Sequence, residues 1–318
     1  MRPGGIDKRG DVTGATADPG APEAVVVNYN AGEALIECVA SLRREGIARV
    51  VVVDNGSVDG STERLAAADP QVQIVAPGRN VGFGAGANYG VSRTAGATIL
   101  VCNPDVVLGP GSVRALRQRI ATDPSLGLVG PRLVAPDGSE RPSGRRFPSL
   151  RRSSGQAVLG LVAPGSRASR RYRAASRAGA ASGIVDWVTG ACLLVRRDAF
   201  ESVGGFDEGY FMYVEEVDLC MRLARAGWRT GIERGAVVLH LAGVSTAARP
   251  YRMVVAHHLS LWRFACRWTT GPDRLLLVLA GPATVLRLVV ACATQLAARR
   301  PGARVRGPGQ SRLPRRRA

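Results

Sequence analysis

Three acidic clusters stand where carboxylates can do chemistry. Asp54 follows Val50-Val51-Val52-Val53, so its carboxylate emerges where a buried strand stops. There it can accept the imide N–H of a pyrimidine base, or simply turn the chain as an Asx residue. Asn103-Pro104-Asp105 closes a second apolar run, Thr98 to Cys102. Proline ends the ladder and presents Asp105 at the sheet edge. An oxygen ligand there suits Mg2+ or Mn2+ bridging phosphates, and a plain turn also accounts for it. Glu215, Glu216 and Asp218 form the third cluster, beside Phe211-Met212-Tyr213. In a helix beginning near Val214, Glu215 and Asp218 share a face and Glu216 points about 100° away. Acids in a first turn complement the helix dipole. Three of them beside aromatic residues also repel one another, which raises the pKa of at least one toward the range of a general base. His240 ends the apolar run Ala236 to Leu239 and offers an imidazole to a metal site at Asp105.

The elements that position these groups alternate. Strands are predicted at Ala24–Val27, Val50–Val53, Val72–Val75 and Thr98–Cys102. A helix is expected through Leu35, Val39 and Leu42, and another near Tyr89. Strand–helix–strand order predicts an α/β protein with a mostly parallel sheet covered by helices on both faces, binding its ligand beyond the carboxyl ends of the strands. The stripe Val217, Cys220, Met221 and Ala224 is expected to be the buried face of the helix carrying the third cluster. Gly82-Phe83-Gly84-Ala85-Gly86-Ala87 satisfies a dinucleotide-binding GxGxxA pattern. The pattern is separated from its preceding strand by Pro77-Gly78-Arg79-Asn80, which argues against a nicotinamide or flavin site.

The 318 residues carry 43 basic and 25 acidic groups, a formal charge of +18, with Lys8 the one lysine. An arginine-rich surface attracts phosphates. Aromatic residues total 5% and are not interleaved with the arginines, which speaks against a nucleic-acid partner. Residues 1–22 read as a disordered arm with no apolar targeting segment, so a cytoplasmic protein is expected. Arg141 to Arg177 holds ten arginines and no acid, a basic, partly mobile region. Leu275–Leu286 and Leu288–Ala298 form an apolar helical segment interrupted by Arg287 and expected to kink at Gly281-Pro282. Eight arginines follow in the last twenty residues. An apolar helix with a polybasic tail is a two-signal anchor for an anionic membrane surface. The expected organisation is an arm over 1–22, a main domain over 23–268, the apolar segment over 269–298 and a basic tail over 299–318.

Several stretches combine into a resemblance. Val25-Val26-Val27-Asn28-Tyr29-Asn30, Val53 through Gly60, Asn80-Val81-Gly82-Phe83, Asn103-Pro104-Asp105-Val106, Trp187-Val188-Thr189-Gly190-Ala191 and Gly204 through Leu219 resemble family 2 glycosyltransferases of the GT-A fold over roughly residues 22–268. Arg141-Pro142-Ser143, Phe147-Pro148-Ser149-Leu150 and Val195-Arg196-Arg197 narrow the resemblance to actinobacterial rhamnosyltransferases that extend polyprenyl-diphosphate N-acetylglucosamine. The resemblance implies inverting transfer from a nucleotide-diphosphate sugar, dTDP-L-rhamnose first among the donors, to that acceptor. Galactofuranose, glucose or mannose donors, and a non-catalytic sugar-nucleotide or glycan binder, are the alternatives. It implies that Asp54 binds the base, that Tyr29, Asn30, Asn80 and Asn103 line the nucleotide-sugar pocket, and that Asp105 and His240 hold Mg2+ or Mn2+. Trp187, Gly190 and Asp218 would face the acceptor. Glu216 stands where the family has its catalytic aspartate, one methylene longer, and Glu215 can share the role. The enzyme would sit peripherally on the inner face of the cell membrane.

Overall fold

Short, near-continuous apolar runs, such as Val50–Val53, set the sheet, as strands buried on both faces do. The computed structural model describes residues 21–148, 183–243 and 250–298. β1 (Glu23–Asn28), β2 (Val50–Asp54), β3 (Gln73–Val75) and β4 (Thr98–Cys102) run parallel, joined through α1 (Glu33–Arg44), α2 (Ser61–Ala68) and α3 (Phe83–Val91). The chain continues as β5 (Val106–Leu108), α4 (Ser112–Thr122) and β6 (Leu126–Val134). Short strands β7 (Glu140–Arg141), β8 (Gly144–Arg145), β9 (Ile184–Val185) and β10 (Trp187–Val188) follow, then β11 (Cys192–Arg196), α5 (Arg197–Ser202), α6 (Glu215–Arg225) and β12 (Arg229–His240). The main sheet has the order β3-β2-β1-β4-β11-β6-β12-β5, along which β11 and β5 oppose the rest, and the short strands β7 and β9 add antiparallel to β6 and β12. The predicted α/β architecture with a mostly parallel central sheet is therefore the observed one.

Alternate residues of each strand feed two cores. Val26, Val52, Leu100 and Leu194 pack under α1, α2 and α4, while Val25, Val53, Val101 and Leu193 pack under α3, α5 and α6. Glycines of α3 serve this packing: Gly84 of the GxGxxA pattern, whose added Cβ would lie 3.1 Å from Phe206 Cβ, and Gly86 and Gly90, which are not among the pattern's glycines. A Cβ at Gly90 would run into Val25 and Val53, and one at Gly86 would lie 3.0 Å from Val27. They let α3 lie close on the sheet, which is a packing requirement rather than a pyrophosphate turn.

α7 (Pro250–Trp268) crosses back over α6. Tyr210, Val214 and Val217 meet Phe264 in a third, smaller core. A 3-10 turn at Gly271–Arg274 leads to α8 (Leu275–Ala298), which packs against α7 with Gly281 beside the Trp262 ring.

The expected apolar helical segment is α8, one helix that continues through Pro282, where proline forfeits the bond to the Val278 carbonyl. Two expectations change. The buried face of α6 runs through Val217, Leu219, Cys220 and Leu223, whereas Ala224 is exposed and Met221 only half-buried. The basic region does not start as a loop, because Glu140–Arg141 and Gly144–Arg145 are strands paired to β6 and β10. Its remainder from residue 149, the expected arm through residue 20 and the basic tail lie outside the described residues.

Candidate active site

The carboxyl ends of β1 and β2 make one interlocked cradle. Asn28 is fully buried and donates through Nδ2 to the Ser57 and Ser61 hydroxyls, both at 3.0 Å. Asn30 adopts φ 50°, a left-handed conformation that asparagine tolerates. Its N–H donates to Ser57 Oγ and its Oδ1 accepts the Val58 N–H. Asp54 accepts the Ser57 N–H through Oδ1 at 3.0 Å, so the Asx turn open from the sequence does form. The half-buried carboxylate remains at the strand end beside half-buried Tyr29 and Asn30. Buried Asn55 extends the cradle: it accepts the Val81 N–H and donates to the Gly82 carbonyl. Asn80, whose Oδ1 accepts the Gly82 N–H, is thereby held against the same edge.

At the end of β4 the Asn103 N–H donates to the Ala191 carbonyl at 2.9 Å, joining this edge to the start of β11. Asp105 is buried, and its Oδ1 lies 3.4 Å from His240 Nε2. Strand pairing of His240 with Val106, and the Leu241 N–H on the Asp105 carbonyl, hold the two side chains together. No group of three or more His, Cys, Asp or Glu gathers around a point among the described residues. Asp105 and His240 together present a hard carboxylate oxygen and an imidazole nitrogen, two donors that a divalent cation would need to complete with phosphate oxygens and water. That donor set fits Mg2+ or Mn2+ bound together with a diphosphate.

Glu215 and Glu216 open α6 after a strained approach. Tyr213 and Val214 take φ of 68° and 72°, conformations that are costly for a bulky and a β-branched residue. Two anchors hold the approach: the Ser260 hydroxyl on the Met212 carbonyl, and the Phe83 N–H on the Phe211 carbonyl. Gly82 is required here, since a Cβ would run into the Phe211 carbonyl. Glu215 is 5% exposed and its Oε2 has no hydrogen-bond partner. Burial, then the charge of Glu216, pushes the Glu215 carboxyl well above the ordinary glutamate value. Glu216 is more open. Burial raises it too, against backbone N–H bonds, including that of Gly190, and the Arg145 charge, which pull it partly back.

The three expected acceptor residues fare differently. Gly190 lies against Glu216, where an added Cβ would sit 3.4 Å from Glu216 Cβ. Because Gly190 precedes Ala191, the base candidate and the Asn103–Asp105 corner share one edge of the sheet. Trp187 flanks this edge half-buried, donating Nε1–H to the Arg146 carbonyl under the Arg145 guanidinium. Asp218 does not face an acceptor. It is fully buried and accepts from Tyr210 Oη, Arg222 Nε and Trp268 Nε1, so it ties α7 to α6. Sequence reasoning passed over Asn28, Asn55 and Arg145. The first two adjoin residues already singled out. Arg145 was visible only as one arginine among ten.

Comparison with known proteins places this geometry. The family "Glycosyl transferase family 2" matches residues 23–204. N-acetylglucosaminyl-diphospho-decaprenol L-rhamnosyltransferase of Mycobacterium tuberculosis is 39% identical over 77% of this chain and 87% of its own. Low-salt glycan biosynthesis hexosyltransferase Agl10 of Haloferax volcanii is 27% identical over 65% of this chain and 62% of its own. The fold is that of the Pyrobaculum calidifontis mannosyltransferase PcManGT, solved with GDP-Man and Mn2+ (TM-score 0.55, 18% identity, 89% of this chain and 78% of that one). It is shared by GalNAc-T7, solved with UDP, GalNAc and Mn2+ (TM-score 0.51, 13% identity, 70% and 43%). A GT-A sheet whose strand ends gather these acids and amides, matched by that family over more than half its length, makes the chain a glycosyltransferase of family 2.

Proposed function

We propose that this enzyme transfers L-rhamnose, with inversion, from dTDP-rhamnose to a hydroxyl of polyprenyl-diphosphate-linked N-acetylglucosamine in cell-wall or surface-polysaccharide synthesis. The observation that carries the reading is 39% identity across 87% of a relative whose name states that acceptor and that sugar. The site is consistent with it. Asp54 stands to accept the imide N–H of thymine, with Tyr29, Asn30 and Asn80 around the nucleotide and Asn103 beside the diphosphate. Asp105 and His240 are the residues that would hold Mg2+ or Mn2+. The ion, when bound, supplies positive charge against the departing diphosphate.

Glu216 is the general base. It is the more accessible member of the pair, it lies against Gly190, and its burial-raised pKa suits it to take a proton from an alcohol. As the acceptor hydroxyl oxygen bonds to the anomeric carbon, the bond to the diphosphate breaks on the opposite face and the hydroxyl proton passes to Glu216. Burial and the Glu216 charge push the Glu215 carboxyl well above the ordinary glutamate value, so it resists adding a second charge at the helix start.

We place the enzyme peripherally on a membrane. No helix among the described residues is long and apolar enough to cross one. The exposed residues of α8, with the arginine tail, suit adsorption to an anionic surface. The deciding assay offers the purified protein a panel of nucleotide sugars with polyprenyl-diphosphate N-acetylglucosamine and Mg2+ or Mn2+. Turnover with dTDP-rhamnose alone is expected, and turnover confined to UDP- or GDP-sugars overturns the donor assignment. Undiminished turnover in excess chelator removes the metal.

A further inference from the structure

A second concavity, of about 580 Å3, opens between α7 and the Gly209–Phe211 turn. Phe211, Val255, Ala256 and Leu259 give it apolar walls, and Leu259 is 61% exposed among the described residues. Two of its polar side chains are already committed. The Ser260 hydroxyl donates to the Met212 carbonyl, and Arg263 is paired to Asp207. An extended peptide would find few free hydrogen-bonding partners here, whereas a hydrocarbon needs none. At the rim stands exposed Arg252, without an ion-pair partner among the described residues and therefore able to meet an anionic headgroup.

The groove is continuous with the catalytic loop. Phe211 leads through Met212, Tyr213 and Val214 into Glu215 and Glu216, and Ser260 fastens that loop to the groove wall. A ligand lying along α7 would thus touch the residues that lead into the proposed base.

We propose that this groove seats the first isoprene units of the acceptor's polyprenyl chain, with Arg252 beside its diphosphate. The inference rests on the lipid-linked acceptor proposed above. It adds that the protein itself, and not the bilayer alone, recognises the chain.

The test uses the full-length protein in detergent and a polyprenyl diphosphate carrying a benzophenone in its first isoprene units. After irradiation, peptide mapping should place the label on Gly209–Phe211 and Val255–Leu259. Unlabelled polyprenyl diphosphate should compete it away, and Leu259→Glu or Val255→Glu should lower labelling about tenfold, since a charge in the groove opposes hydrocarbon. Likewise, the kcat/KM advantage of a long-chain over a short-chain acceptor should shrink in these variants. Label that maps elsewhere, or that is indifferent to both variants, overturns the proposal. So does a solution dimer that Leu259→Glu dissolves, which would make the groove a contact between copies. Labelling needs no sugar donor, so the two readings fail separately. Label in the groove without rhamnose transfer refutes the donor reading alone, and rhamnose transfer with label elsewhere refutes the groove alone.

Discussion

At the scale of single residues, the different tasks proposed for the adjacent glutamates rest on different surroundings. Glu216 has an opening toward Gly190 and a cation, Arg145, within electrostatic reach. Glu216→Gln keeps the shape and removes the proposed base, so transfer should fall about 10²–10⁴-fold with little change in nucleotide-sugar affinity, measured by turnover and calorimetry. Since the working form is the carboxylate, activity rises with pH through a value above that of ordinary glutamate. Arg145 holds that value down, so Arg145→Gln should move the rising limb of the pH–rate profile to higher pH. A limb that stays put would disconnect Arg145 from the base. Glu215 is read through stability instead. Its folded pKa is raised, so its contribution is fully present below the unfolded value and is lost as pH rises through the folded one. As pH rises above the ordinary glutamate value, the wild type should lose more unfolding free energy than Glu215→Gln, as followed by urea denaturation.

Among elements, the question is how α6 is aimed. Its first turn would point elsewhere if Tyr213 and Val214 relaxed out of positive φ, and α7 prevents this through the Asp218 cluster and Ser260. Asp218→Ala leaves the Arg222 and Trp268 donors buried without their acceptor. It should cost about 3–5 kcal/mol in denaturant unfolding, far more than an exposed acid-to-alanine change. Much of this scale was legible in the sequence. Runs such as Val50–Val53 admit one placement, and acids directly behind such runs have to emerge at strand ends, so the Asp54 and Asp105 edge followed from position alone. Asp218 was not legible. Its partners Tyr210, Arg222 and Trp268 come from three separate places in the chain, and an acid in a first helical turn looks the same whether it faces a ligand or locks a helix. The α6 stripe slipped for a related reason. The helix is covered from two sides, by the sheet and by α7, and Leu219 and Leu223 take the sheet side.

On the scale of the whole molecule, α8 poses a problem that the described residues alone do not solve. One side packs on α7, yet Leu275, Val278, Val285, Leu286, Val289 and Val290 remain exposed. At 100° per residue these six fall within a single sector, so they form a stripe and not scattered contacts. Leaving such a stripe in water is unfavourable by about 25 cal/mol per Å2, a cost removed by insertion between lipid headgroups. The arginine tail adds attraction of about 1 kcal/mol per residue held near an anionic surface, and salt screens it. The two terms separate experimentally. Val285→Asp with Val289→Asp should lower sedimentation with anionic vesicles at every salt concentration while the fold stays intact, because neither side chain is buried. Removing residues 299–318 should lower it mainly at low salt. If the aspartates leave vesicle binding unchanged but abolish self-association, the stripe meets another copy of the chain instead of lipid. The acceptor would then have to reach Glu216 by leaving the bilayer.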